Sequence, residues 1–96
     1  MSDATPSARS VPAVTLVTSP ACHLCDDAHQ VLRPLADQGR IRLAIMRADS
    51  SEGAALLDRH RPGLFPLVLV DGAFFSAGRL PRRKLESHLG REVAVG

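Results

Sequence analysis

The sequence predicts one α/β domain whose elements run β-α-β-α-β-β-α. Three observations predict it. Apolar runs rich in β-branched residues alternate with stretches of helical spacing. Asp71-Gly72, a two-residue hairpin signal, separates the last two apolar runs. The 96 residues, 45% of them hydrophobic, suit a single domain with one small core.

Val11 to Thr18 contains Val14, Leu16 and Val17 and reads as a buried strand that Pro20 ends. A helix is predicted from about Cys22 to Gln38. Leu24, Ala28, Val31, Leu32 and Leu35 fall on one face, with Asp26, Asp27, Gln30 and Arg33 on the other. Pro34 is expected to kink this helix or end it early, and Gly39 to stop it. Ile41 to Met46 alternates, with Ile41, Leu43 and Ile45 on one face of a second strand. The intervening helix makes these two strands parallel, joined by a right-handed crossover. Asp49 and Glu52 have the spacing of a capping box for a helix from about Ser50 to Arg59. That helix should bury Ala54, Leu56 and Leu57 and stop at Arg61-Pro62-Gly63. Pro66 to Val70 is the third strand. After the Asp71-Gly72 turn, Ala73 to Ser76 is an antiparallel fourth, with Phe74 or Phe75 in the core because strand neighbours face opposite ways. Gly78 breaks the chain. Pro81 opens a last helix to about Leu89, with Leu85 and Leu89 inward and Gly90 as its end; Arg91 to Gly96 is expected to fray. Arg82, Arg83 and Lys84 oppose the dipole at the start of that helix, and the sequence offers no structural reason for them.

Composition excludes several classes of function. A net charge of +2 with no Trp or Tyr argues against nucleic acid. No apolar run approaches the ~20 residues of a membrane span. Met1 to Ser10 is polar, lacks an apolar signal core and reads as a flexible lead-in to a domain over residues 11–96. The expectation is a cytoplasmic monomer.

Both cysteines lie in Ser19-Pro20-Ala21-Cys22-His23-Leu24-Cys25, where the first strand meets the first helix. The unpaired N–H groups and positive end of a helix favour thiolate over thiol, and the thiolate is what attacks a disulfide. Lowering a thiol pKa from ~8.5 to ~7 raises its ionised fraction at pH 7 from a few per cent to about half. Asp26 and Asp27 partly oppose this. Cys25, three positions on, returns to nearly the same face and can resolve a mixed disulfide on Cys22. A zinc site needs more ligands than the pair supplies, and His23 lies between the cysteines. A structural disulfide fits a secreted chain, of which there is no sign. Buried inert thiols are the third alternative. A Cys-x-x-Cys within a βαβ pattern favours redox chemistry over all three.

The element order, the Cys-x-x-Cys at the first strand–helix junction and a proline opening the third strand resemble the thioredoxin fold. The small size and Cys22-His23-Leu24-Cys25 are similar to the glutaredoxin-like proteins with a Cys-His-Leu-Cys motif. The resemblance spans about Val14 to Leu89. It implies a four-stranded mixed sheet with helices on both faces, and thiol–disulfide exchange with Cys22 as nucleophile and Cys25 resolving. It also implies a cis Phe65-Pro66 bond facing the thiols, and no required metal or organic cofactor, with glutathione as a candidate reductant. The partner implied is a disulfide-containing protein or a small thiol, met by Pro20, His23, Phe65, Pro66, Gly78 and Arg79. The chain departs from the family pattern where it has Leu64-Phe65-Pro66 for Thr-Val-Pro, Ser19 for a basic residue, and Ala77-Gly78 for Gly-Gly. Each departure weakens the case for glutathione; Arg59, Arg61 or Arg79 could supply the missing charge. Two further readings stand beside exchange: a redox-inert protein-binding module, and a glutathione-dependent iron–sulfur or metal carrier. His23 either supports the thiolate or merely sets local polarity, and His29, His60 and His88 read as surface or helix-end residues.

Overall fold

A computed structural model describes residues 11–95, so the lead-in at residues 1–10 lies outside the described residues. Four strands, β1 (Ala13–Thr18), β2 (Arg42–Arg47), β3 (Leu67–Val70) and β4 (Ala73–Ala77), alternate with three helices. These are α1 (His23–Asp37), α2 (Ser51–His60) and α3 (Arg82–Val95), in the expected order β1-α1-β2-α2-β3-β4-α3. The sheet order is β2-β1-β3-β4. β1 runs parallel to β2 and antiparallel to β3, which is antiparallel to β4.

The two central strands are apolar on both faces because helices cover both. Val14 and Leu16 of β1 and Val68 and Val70 of β3 meet Ala28, Leu32 and Leu35 of α1 and Leu85 and Leu89 of α3. On the opposite face Val17, Leu67 and Leu69 meet Met46 and, from α2, Leu56 and Leu57. Each fully buried leucine or valine contributes roughly 1.5–3 kcal/mol through apolar burial.

The hairpin forms for the reason the sequence suggests. Asp71 and Gly72 take φ of 52° and 83°, as a two-residue turn with two positive φ values requires. The Asp71 carboxylate also accepts the Ala13 N–H at 2.9 Å, tying the hairpin to the head of β1. In β4, Val68 faces Ser76 while Leu69 faces Phe74, so Phe75 is an inserted bulge residue. It is 6% exposed and Phe74 54%.

Several expectations are corrected. Pro34 does not end α1 early: the helix runs through it to Asp37. Pro34 is exposed and one turn from the helix end, so the carbonyl it leaves unpaired can be hydrated, while its own carbonyl accepts the Gln38 N–H at 3.0 Å. The cap of α2 is Ser50, whose hydroxyl accepts the Gly53 N–H at 3.0 Å; Asp49 instead pairs with Arg47. With the cap one residue later, Gly53 is buried and Ala54 is exposed. Ile45 is 46% exposed, because β2 is an edge strand and a cavity opens beside it. α3 passes Gly90 and reaches Val95, so the expected fraying tail is helical there. The ~1 kcal/mol that glycine costs a helix does not stop one whose Leu85 and Leu89 are both 1% exposed. His60 ends α2, as expected, while His29 and His88 are half-buried within their helices. His88 sits edge-on to Phe75 at 5.9 Å, and His60 lies 6.5 Å from Phe74.

Lys84 does have a structural role: its ammonium donates to the Phe75 carbonyl at 3.2 Å and lies 4.8 Å from the Phe75 ring centroid.

Gly53 gives a test of the α2–β2 packing. A Cβ there would collide with the Arg47 carbonyl. Helix propensity alone gives Gly53→Ala a gain of about 1 kcal/mol. The expected outcome in urea denaturation is instead a loss of roughly 1–3 kcal/mol from overpacking.

Candidate functional site

The site forms at the edge of the sheet where β1 ends, β3 begins and β4 ends. The pairings Val17 with Leu67 and Leu67 with Ala77 bring those three points together. After Thr18 the chain turns over Ser19, Pro20 and Ala21. Ala21 holds a φ of 51°, left-handed for a residue with a Cβ, at a typical cost of about 1–3 kcal/mol. That sharp turn delivers Cys22 to the N-cap position of α1 with extended backbone, φ −117° and ψ 106°.

Cys22 thus occupies the place where serine or aspartate usually caps a helix. Its Sγ accepts the Cys25 N–H at 3.1 Å, and its carbonyl accepts the Asp26 N–H at 3.1 Å. The two cysteines are paired as a disulfide, with Cα atoms 5.2 Å apart. Cys22 is half-buried and Cys25 is 4% exposed, held one turn down beside the buried Ala28. An anionic sulfur at Cys22 would receive an otherwise unpaired N–H and the positive end of a 15-residue helix. Asp26 in the first turn works against it.

The Phe65-Pro66 bond is cis, as expected. Pro66 is buried, and its carbonyl accepts the Gly78 N–H at 3.0 Å. Gly78 has a φ of 89°, which favours glycine, and a Cβ there would sit 3.0 Å from Cδ1 of the exposed Leu64 side chain. Phe65 packs against the second core cluster, and Leu64 is 62% exposed.

From Leu24, the residue before Cys25, α1 and the segment leading into α3 line a groove of about 400 Å³. Leu24, Ala28, Val31, Leu80 and Pro81 give it apolar walls, and Asp27, Arg79, Arg82 and Arg83 also line it. None of these three arginines makes an ion pair among the described residues. Arg61, by contrast, pairs with Asp58 at 3.5 Å. A second cavity, of about 210 Å³, lies on the β2 side of α1 and is lined by Leu16, Thr18, Ser19, Cys25, Asp26, His29 and Ile45.

Of the residues singled out from the sequence, Cys22 meets Cys25 and Pro66 meets Gly78 directly. Arg79 lines the groove that Leu24 also lines. Pro20 and His23 are exposed around the cysteine turn and line neither that groove nor the cavity below it. Among the described residues no three of His, Cys, Asp and Glu gather as metal ligands, and no helix is long and apolar enough to cross a membrane. Sequence reasoning missed Ala21, Arg82, Arg83 and His29. The dipole-opposing charges at the head of α3 were the one signal that could have marked the arginines.

Solved structures place this architecture in the thioredoxin-fold class. A chloroplastic thioredoxin z superposes with a TM-score of 0.68 at 17% identity, covering 98% of this chain and 92% of that one. A thioredoxin-like protein from Clostridium perfringens gives 0.66 at 13% identity, covering 85% and 71%. The thioredoxin of Fasciola hepatica gives 0.57 at 18% identity, covering 93% and 89%. Within that class residues 13–90 match the glutaredoxin-like domain family (DUF836), and the chain belongs to it. Family, fold and the Cys22–Cys25 pair together support a thiol–disulfide redox role.

The burial difference between the sulfurs has a direct consequence. In the reduced protein, iodoacetamide at neutral pH should modify Cys22 at least ten-fold faster than Cys25, since accessible thiolate sets the rate. Peptide mass spectrometry over a time course reads the ratio.

Proposed function

We propose that this protein is a thiol–disulfide oxidoreductase in which Cys22 attacks and Cys25 resolves. The observation that carries the reading is the hydrogen bond from the Cys25 N–H to Cys22 Sγ at the N-terminus of α1. It supplies a charge-assisted partner to a sulfur that carries negative charge. In the first step the Cys22 thiolate attacks one sulfur of a substrate disulfide. One S–S bond forms, one breaks, and a substrate thiolate leaves. In the second, Cys25 attacks Cys22 Sγ, closes the Cys22–Cys25 disulfide and releases the second substrate thiol. Two electrons have then passed to the substrate, and an external thiol reduces the protein disulfide to restart the cycle. The reading places the protein in the cytoplasm, where a Cys-x-x-Cys stays available for such cycling.

The substrate side of the reading rests on the groove. Its apolar walls, with arginines that make no ion pair among the described residues, suit a disulfide carried on an acidic segment with an apolar side chain. The half-buried Phe65, held before the fully buried Pro66, offers the backbone along which an extended substrate strand would lie. Glutathione is the weaker candidate reductant because Ser19 and Ala77 stand where the family has a basic residue and a glycine. Arg79 is the arginine of the three considered that lines the groove.

Cys22→Ser should abolish exchange, and Cys25→Ser should attack once and stall as a mixed disulfide. Mass spectrometry of the adducts distinguishes the two; trapping by Cys22→Ser instead would reverse the roles, and no adduct with either would favour the redox-inert binding module. In a glutathione-coupled disulfide reduction assay the turnover should fall at least ten-fold below that of an ordinary glutaredoxin. Comparable turnover would show that Arg79 and its neighbours hold the tripeptide.

A further inference from the structure

Before Cys25 can resolve a mixed disulfide it must lose a proton. It is 4% exposed, and its backbone N–H is directed to Cys22 rather than to its own sulfur. An ordinary thiol is only a few per cent ionised at pH 7, and apolar burial lowers that fraction further. Four residues along α1, on the same helical face, stands His29. Cys25 and His29 line one cavity of about 210 Å³. The Nε2 atom of His29 is buried and has no hydrogen-bond partner among the described residues.

We propose that His29 is the proton acceptor for Cys25, taking the thiol proton directly or through water in the cavity they share. The proposal rests on the reading that Cys22 attacks and Cys25 resolves. In the mixed disulfide, Cys22 Sγ is bonded to the substrate sulfur. The Cys25 S–H proton passes to Nε2 of the neutral imidazole, and the Cys25 sulfur forms the new bond to Cys22 Sγ. The substrate sulfur leaves with the electron pair of the broken bond and is protonated by solvent, and the imidazolium later returns its proton to solvent. One S–S bond forms and one breaks, with no net oxidation in this step.

The other groups around the cavity are poorer acceptors. Leu16 and Ile45 are apolar, and the hydroxyls of Thr18 and Ser19 are not bases near neutral pH. Asp26, the remaining ionisable group of the lining, is exposed. Arg47 and Asp49 border an adjoining hollow that Thr18 and Ser19 also line, and they pair with each other at 2.8 Å. His60 also has an unpartnered buried Nε2, but it sits beside Phe74 at the end of α2. Imidazole is the side chain whose ordinary charge change falls between about pH 5 and 8, where a proton must be both taken and released.

The test follows the reduced protein reacting with an aromatic disulfide whose thiolate is coloured. The first coloured equivalent reports attack by Cys22 and the second reports resolution by Cys25. In the wild type the second phase should show an inflection between about pH 5 and 8. In His29→Gln that inflection should vanish and the phase should slow about ten-fold at pH 7, converging with wild type near pH 9, where thiols ionise unaided. The first phase should stay within about two-fold. Asp26→Asn should keep the inflection of the second phase. Equal slowing at every pH, equal slowing of both phases, transfer of the effect to Asp26→Asn, or no inflection in the wild type overturns the proposal. The wild-type profile decides the matter even if His29→Gln does not fold. A first phase that is absent, or that tracks a free thiol, would instead defeat the reading of Cys22 as the activated nucleophile.

Discussion

The site depends on one interaction, the hydrogen bond that the first turn of α1 makes to the sulfur of its own capping residue. A helix start has backbone N–H groups with no internal partner, and here one of them finds Cys22 Sγ. The geometry holds because α1 cannot shift. Ala28 and Leu32 are fully buried against β1 and β3, and moving the helix by even a fraction of a turn would open the larger of the two cores. The left-handed Ala21 is the local strain that comes with it: the chain must leave β1 and enter α1 across four residues, Ser19 to Cys22.

The same end of the sheet collects the remaining features for a topological reason. β3 and β4 are a two-residue hairpin, and β3 is antiparallel to β1, so the start of β3 and the end of β4 both return to where β1 finishes. Pro66 and Gly78 therefore sit beside the cysteine turn and lock to each other through one backbone hydrogen bond. Gly78 then sends the chain across the sheet to α3, whose first turn brings arginines against α1. Cations at a helix N-terminus cost a few tenths of a kcal/mol to about one each. Lys84 offsets its share through the Phe75 carbonyl and ring. Arg82 and Arg83 have no such partner among the described residues, and they border the groove with Arg79.

The charge pattern around the disulfide is accordingly two-sided. Toward α3 the surface is an apolar trough edged by arginines, suited to meeting a substrate. Toward β2 lies a small cavity lined by Cys25 and His29. Leu24 lines the trough and Cys25 lines the cavity.

By itself the sequence determined the element order, the Cys22–Cys25 placement at a strand–helix junction, the Asp71-Gly72 turn and the inward leucines of α3. Each of these is a local signal of spacing, turn chemistry or apolar period that needs no distant partner. The cis bond before Pro66 came from the family resemblance rather than from any local signal. Tertiary structure alone decided the rest. Ser50 caps α2 rather than Asp49 because Gly53 must pass the Arg47 carbonyl. Pro34 and Gly90 stay helical because buried leucines outweigh their local cost. His29, Arg82 and Arg83 are brought to cavities around the site only when α1 is laid between β2 and the head of α3. The four-residue spacing puts His29 on the helix face of Cys25, but nothing in the chain marks the cavity they share, since a cavity is made by what several elements leave unfilled between them.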